Sequence, residues 1–169
     1  MIYKKNEVPQ ILKERAEGDA KLRLLDNPDW NEIHAYDFGS FQLMKDLFEQ
    51  FGPISKTEFG EEASYNAWLL VQHQDNFVDF QLQYLEAMKQ NPDNFDPREI
   101  AYLTDRTLMN TEQPQIYGTQ FVFDEKKQKY IPYQTTQPNK VNERRAQVGM
   151  ETIEKYVGEN DWDLTDFYE

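Results

Sequence analysis

Four short stretches carry the residue types from which a polar reactive site is built. They are Gln72-His73-x-Asp75 with Gln81, Asp105-Arg106, Gln115-Ile116-Tyr117-Gly118-Thr119-Gln120, and Arg144-Arg145. His73 can exchange a proton near neutral pH, which makes it the candidate general acid/base. Arg106 and Arg145 present planar forks suited to a carboxylate or phosphate, while Asp105, Gln115, Tyr117, Thr119 and Gln120 offer directional hydrogen bonds. Together these residues read as a pocket for a small anionic or amide-bearing ligand. The same residues also support a structural reading. Asp105 and Arg145 would form a buried ion pair, His73 would cap the end of its helix, and Gln115 and Gln120 would satisfy loop backbone.

Other chemistries find little support. The chain has no cysteine, which rules out a thiol nucleophile, a disulfide or a thiolate metal site. His73 with Asp75 and Asp79 lacks a second histidine at ligand spacing, and His34 is read in a connecting loop beside Tyr36 with no role assigned. Gly118 stands alone and makes no phosphate-cradling loop, and no serine sits in a nucleophile elbow. No metal or cofactor is implied.

The order and spacing of the four stretches resemble a bacterial domain family of unknown function. Its members carry a Gln-His-x-Asp stretch, an Asp-Arg pair, a Tyr-Gly-Thr-Gln stretch and an Arg-Arg pair. The resemblance spans roughly Gly52 to Tyr156, with Tyr-Gly-Thr-Gln its most specific part, and leaves the N-terminal helix and the acidic tail outside. It implies one compact fold and a shared polar site, and supplies no reaction.

The elements that must position these residues are mostly helical. Pro9 suits a first helical turn, and Leu12, Ala16, Ala20 and Leu24 follow at i, i+4 spacing, giving a helix from about Val8 to Leu25. Phe38, Phe41, Met44, Leu47, Phe48 and Phe51 mark a second helix stopped by Gly52-Pro53. The organising stretch is Glu61 to Gln90, where two helices meet near His73 and Asn76 is placed to cap the second. Asp96-Pro97-Arg98-Glu99 opens another helix as a capping box. Ile116 to Phe123 and Lys129 to Gln134 read as a β-hairpin, and a last helix runs from Pro138 to about Val157 with Gly149 inside it. The expected fold is therefore mainly α: a compact bundle of five or six helices with one hairpin before the last. Residues 1–157 read as a single helical domain, and residues 158–169 as an acidic-aromatic tail that docks or frays.

Formal charge is −13, and between residues 31 and 100 acidic side chains outnumber basic ones 13 to 4. Such a field repels phosphate backbones and anionic lipid, so neither nucleic acid nor membrane is an expected partner. It suits a basic protein instead, as an acidic inhibitor or immunity-type protein would meet. The N-terminus lacks the continuous apolar core of a signal peptide, and no apolar run approaches the roughly 20 residues of a spanning helix. The reading is a cytoplasmic protein that binds either a small anionic molecule or a basic partner.

Overall fold

Helix α1 (Val8–Arg23) buries Val8, Leu12, Ala16 and Asp19, and through that face it packs on α4 (Glu61–Gln72) and α2 (Trp30–Phe51). The apolar stripe read from sequence continues to Ala20 and Leu24, yet Ala20 is exposed and Leu24 is 83% exposed. After Ala16 the buried row steps by three rather than four, as a period of 3.6 requires, and this turns an aspartate into the core. The computed structural model describes residues 2–160, 162–165 and 167–168. Among them are eight α-helices and one two-stranded antiparallel sheet, a mainly helical fold with its hairpin ahead of the last helices. The remaining helices are α3 (Lys56–Phe59), α5 (Val78–Gln90), α6 (Pro97–Asn110), α7 (Val141–Gln147) and α8 (Ile153–Glu159). The contacts of the chain group into two compact units, Met1–Phe95 and Asp96–Glu169.

In the first unit, α2 starts well before Phe38, because the Asp29 carboxylate accepts the Asn31 N–H and caps it. His34 and Tyr36, read as loop residues, are therefore helical. The spacing of α1 against α2 depends on two glycines. The Tyr36 hydroxyl crosses Gly18 to donate to the Arg15 carbonyl at 2.9 Å, and a Cβ at Gly18 would lie 2.0 Å from that oxygen. The Arg15 guanidinium lies over the Tyr36 ring, 3.6 Å from its centroid, and a Cβ at Gly39 would meet it at 2.5 Å. Gly18→Ala is thus expected to lower stability by about 1–3 kcal/mol through overpacking, outweighing the ~1 kcal/mol that alanine contributes in a helix interior. Thermal denaturation of the variant checks the sign.

Helix α4 ends at His73, its C-cap. A 3₁₀ turn, Asp75–Phe77, follows, and Phe77 rather than Asn76 stands at the start of α5 without a side-chain cap bond. The α4 carbonyls are satisfied from elsewhere: Gln81 Nε2 donates to the carbonyls of Val71 and Gln72 at 3.0 and 3.2 Å. Phe41, Phe48, Phe77, Phe80 and Tyr84 form a continuous aromatic wall, with Phe41 and Phe77 stacked at 3.8 Å.

In the second unit, Asp96 caps α6 by accepting the Arg98 N–H at 2.9 Å, with Pro97 in the first turn. The hairpin is shorter than its sequence pattern. Strands β1 (Phe121–Asp124) and β2 (Lys129–Pro132) pair from Phe121 opposite Pro132 to Asp124 opposite Lys129, and residues 115–120 form a loop instead of extending β1. The last helix is two helices. Gly149, at φ +72°, sits where the chain leaves α7, and the N–H groups of Gly149 and Met150 return to the carbonyls of Ala146 and Arg145. That is a Schellman stop, for which glycine is the favoured residue. Nothing lies within 4 Å of a Cβ built there, so the glycine serves the turn and not a close backbone approach. Trp162, Leu164 and Phe167 of the acidic-aromatic segment pack on Val141, Ile153 and Val157, and the Asp163 N–H donates to Tyr130 O at 2.9 Å.

Candidate functional site

The sequence-read residues fall into two constellations, one within each unit. In the first, His73 Nδ1 lies 2.8 Å from Asp19 Oδ2. Arg23 Nε donates to Asp19 Oδ1 at 2.9 Å, and Arg23 Nη2 donates to Asp37 Oδ1 at 2.5 Å. Both carboxylates are buried, at 2% and 7% exposure, whereas the side chains of His73 and Arg23 keep about a quarter of their surface. Burial pushes the Asp19 carboxyl up, but the hydrogen bonds and charges of His73 and Arg23 outweigh it and hold the group below the ordinary aspartate value. At Asp37 burial prevails over Arg23, and that carboxyl is raised. A carboxylate on Nδ1 fixes the imidazole orientation and tautomer, leaving Nε2 to take or give a proton. Among the described residues, Nε2 has no hydrogen-bond partner. Gln72 and Gln74 flank His73 in the chain; both are buried, and each side-chain oxygen makes no bond to protein.

Sequence reasoning missed Asp19, Arg23 and Asp37. The one available signal was that Asp19 lies three residues beyond Ala16 on the buried face of α1, with Arg23 one turn further. Reading the stripe on to Ala20 concealed it.

The second constellation is built around Asp105, which is fully buried on α6. Its carboxylate accepts the N–H groups of Ile116 at 2.7 Å, Tyr117 at 3.0 Å and Thr119 at 3.0 Å, together with the Thr119 hydroxyl at 3.0 Å. Burial, the largest influence, pushes this carboxyl above its ordinary value against those four donors. Arg145, 1% exposed on α7, sends Nε to Glu151 O at 2.6 Å and Nη1 to Tyr117 O at 3.0 Å and Gly118 O at 3.3 Å. Asp105 and Arg145 are therefore not partners in a direct ion pair. Each grips the same loop, one by its amides and the other by its carbonyls, because a folded-back loop exposes both kinds of backbone group and both must be met.

Gln115 and Gln120 also serve that loop. Gln115 Nε2 donates to Gln120 O and Tyr133 O, and Gln115 Oε1 accepts the Gln120 N–H at 2.8 Å. Arg106 Nη1 donates to Gln120 Oε1 at 3.0 Å. Arg144, half-buried, donates to the carbonyls of Ile116 and Thr136, each at 2.6 Å. Tyr117 contributes mainly through its backbone. Gly118 has φ +66°, and a Cβ there would lie 2.7 Å from Ile153 Cδ1, so the tightest point of the loop has room only for glycine.

A family comparison bears on the chain as a whole. The model of a family of unknown function, DUF6624, matches residues 26–165. The chain belongs to that family. No curated protein and no solved structure matches it. The DUF6624 region takes in α2 and most of the C-terminal segment, both outside the span read from sequence. It includes Asp37, His73, Asp105 and Arg145, while Asp19 and Arg23 on α1 precede it. Among the described residues of this DUF6624 member, no group of three or more His, Asp or Glu side chains could hold a metal ion, and no helix is long and apolar enough to cross a membrane.

Proposed function

We propose that this protein binds a small molecule at His73 and acts on it by general acid/base chemistry through Nε2. The observation that carries the reading is the 2.8 Å contact between His73 Nδ1 and the buried Asp19 carboxylate, itself clamped by Arg23. An imidazole held by a carboxylate on one nitrogen and partly exposed to solvent is a common general-base arrangement. An anionic ligand was read from Arg106 and Arg145, but Arg145 and Arg106 are engaged by loop oxygens. Beside His73 two carboxylates, Asp19 and Asp37, stand against the single guanidinium of Arg23. Such a centre favours a neutral or basic substrate over a carboxylate or phosphate.

The test is a thermal-shift screen of wild type and His73→Gln against neutral and basic metabolites, with mass spectrometry of each hit for conversion. Wild type should be stabilised by its ligand, by about 2.7 kcal/mol at a hundredfold excess over Kd. His73→Gln should cost no more than about 1–2 kcal/mol of stability, since Asp19 keeps Arg23, yet conversion should vanish. Conversion that persists in the variant, or a large stability loss with no wild-type ligand, removes the reading.

A second reading, an acidic protein that captures a basic partner, has its own supporting observation. Trp30, His34 and Phe38 lie at i, i+4 and i+8 on α2, and Trp30 and Phe38 are 60% and 54% exposed beside Asp29 and Glu32. An exposed apolar stripe with an acidic border is a protein-binding signature.

A further inference from the structure

We infer that the groove along α2 and the start of α5 is a second ligand site, for a small organic cation with a hydrophobic body. The groove encloses about 570 Å³, a size that fits a small organic ligand. Its wall is aromatic: Phe41 stacks on Phe77 at 3.8 Å, and Phe80 meets Phe41 edge-on at 5.5 Å and Phe48 at 5.9 Å. The charges at its rim are Lys45, Glu49 and Asp79, one net negative charge. Lys45 stands 4.0 Å from Glu49 with both side chains more than half exposed, so the lysine charge is already opposed within the rim.

The chemistry of the occupant follows from those two features. Phenyl faces carry negative quadrupole potential and attract a cation, whereas they repel a carboxylate. The excess of carboxylates at the rim acts in the same sense, and so does the acidic surplus of residues 31–100. An amine whose hydrocarbon body lies on Phe41, Phe77 and Phe80 satisfies both. His73 does not line the groove, so binding here is independent of proton transfer there.

The experiment titrates the full chain, at neutral pH and low salt, with 4-phenylbutylamine and with 4-phenylbutyrate, which share a skeleton and differ in charge. Binding is followed by NMR at the Val78 methyl groups, which line the groove. The amine should bind saturably and about tenfold more tightly than the acid, the size of preference expected from one screened charge contact. Glu49→Gln combined with Asp79→Asn, two exposed carboxylates whose loss leaves the core untouched, should weaken that preference severalfold while leaving the melting temperature near wild type. His73→Gln should leave amine binding unchanged. The inference is overturned if the acid binds as well as the amine, if neither probe perturbs Val78, or if the preference is undiminished in the double variant.

Discussion

Asp105→Ala is expected to destabilise the protein by at least about 4 kcal/mol, because three backbone N–H groups and one hydroxyl lose their shared acceptor in a buried site, at roughly 1–3 kcal/mol for each donor left unpaired. The losses are partly relieved wherever water reaches the amides, so the sum is smaller than four separate penalties. Against a total stability of about 5–15 kcal/mol this is a large fraction. Asp105→Asn should be milder but still costly. It keeps one oxygen and turns an NH₂ group toward donors where the second carboxylate oxygen had accepted from Tyr117 and Thr119. Urea denaturation gives the magnitude, and amide hydrogen exchange gives the location: Ile116, Tyr117 and Thr119 should lose protection in both variants. Wild-type protection at those three amides would show that the loop is held by something other than the carboxylate.

Arg145→Ala is expected to cost about 3 kcal/mol, since it uncovers the carbonyls of Glu151, Tyr117 and Gly118 and empties a buried volume beneath the Tyr156 ring. Arg145→Lys should recover only part of this, because a single ammonium cannot reach carbonyls set in the directions of a guanidinium fork. Arg144→Ala should cost about 1 kcal/mol. That side chain is half-buried and also holds carbonyls, so it is not the indifferent surface residue that its position outside the apolar stripe suggests. Equal melting shifts for Arg144→Ala and Arg145→Ala would contradict the account.

These substitutions bear on how function is assigned. The Tyr117-Gly118-Thr119-Gln120 stretch looks like a ligand site by residue type, yet Thr119, Gln120 and their neighbours Asp105, Gln115 and Arg145 spend their polar groups on one loop. A polar cluster becomes a ligand site only where some of its hydrogen-bonding capacity is left over. His73 meets that condition and Asp105 does not.

What could be read from the sequence is what neighbouring residues settle among themselves. The apolar spacing along α2, α4, α5 and α6, the Asp96-Pro97 start and the hairpin before the last helices are encoded within one or two turns of chain, and each is present. Local pattern also misleads at one point: Gly149 stops a helix where the apolar spacing runs on, because a Schellman turn and a helix interior share the same apolar spacing on either side. Tertiary structure decided the partners. Asp19 pairs with a histidine 54 positions away, and Asp105 and Arg145 meet through a loop and not each other. No periodicity specifies such choices, because a buried charge takes whichever complementary groups the packing of separate elements brings within about 3 Å, backbone as readily as side chain.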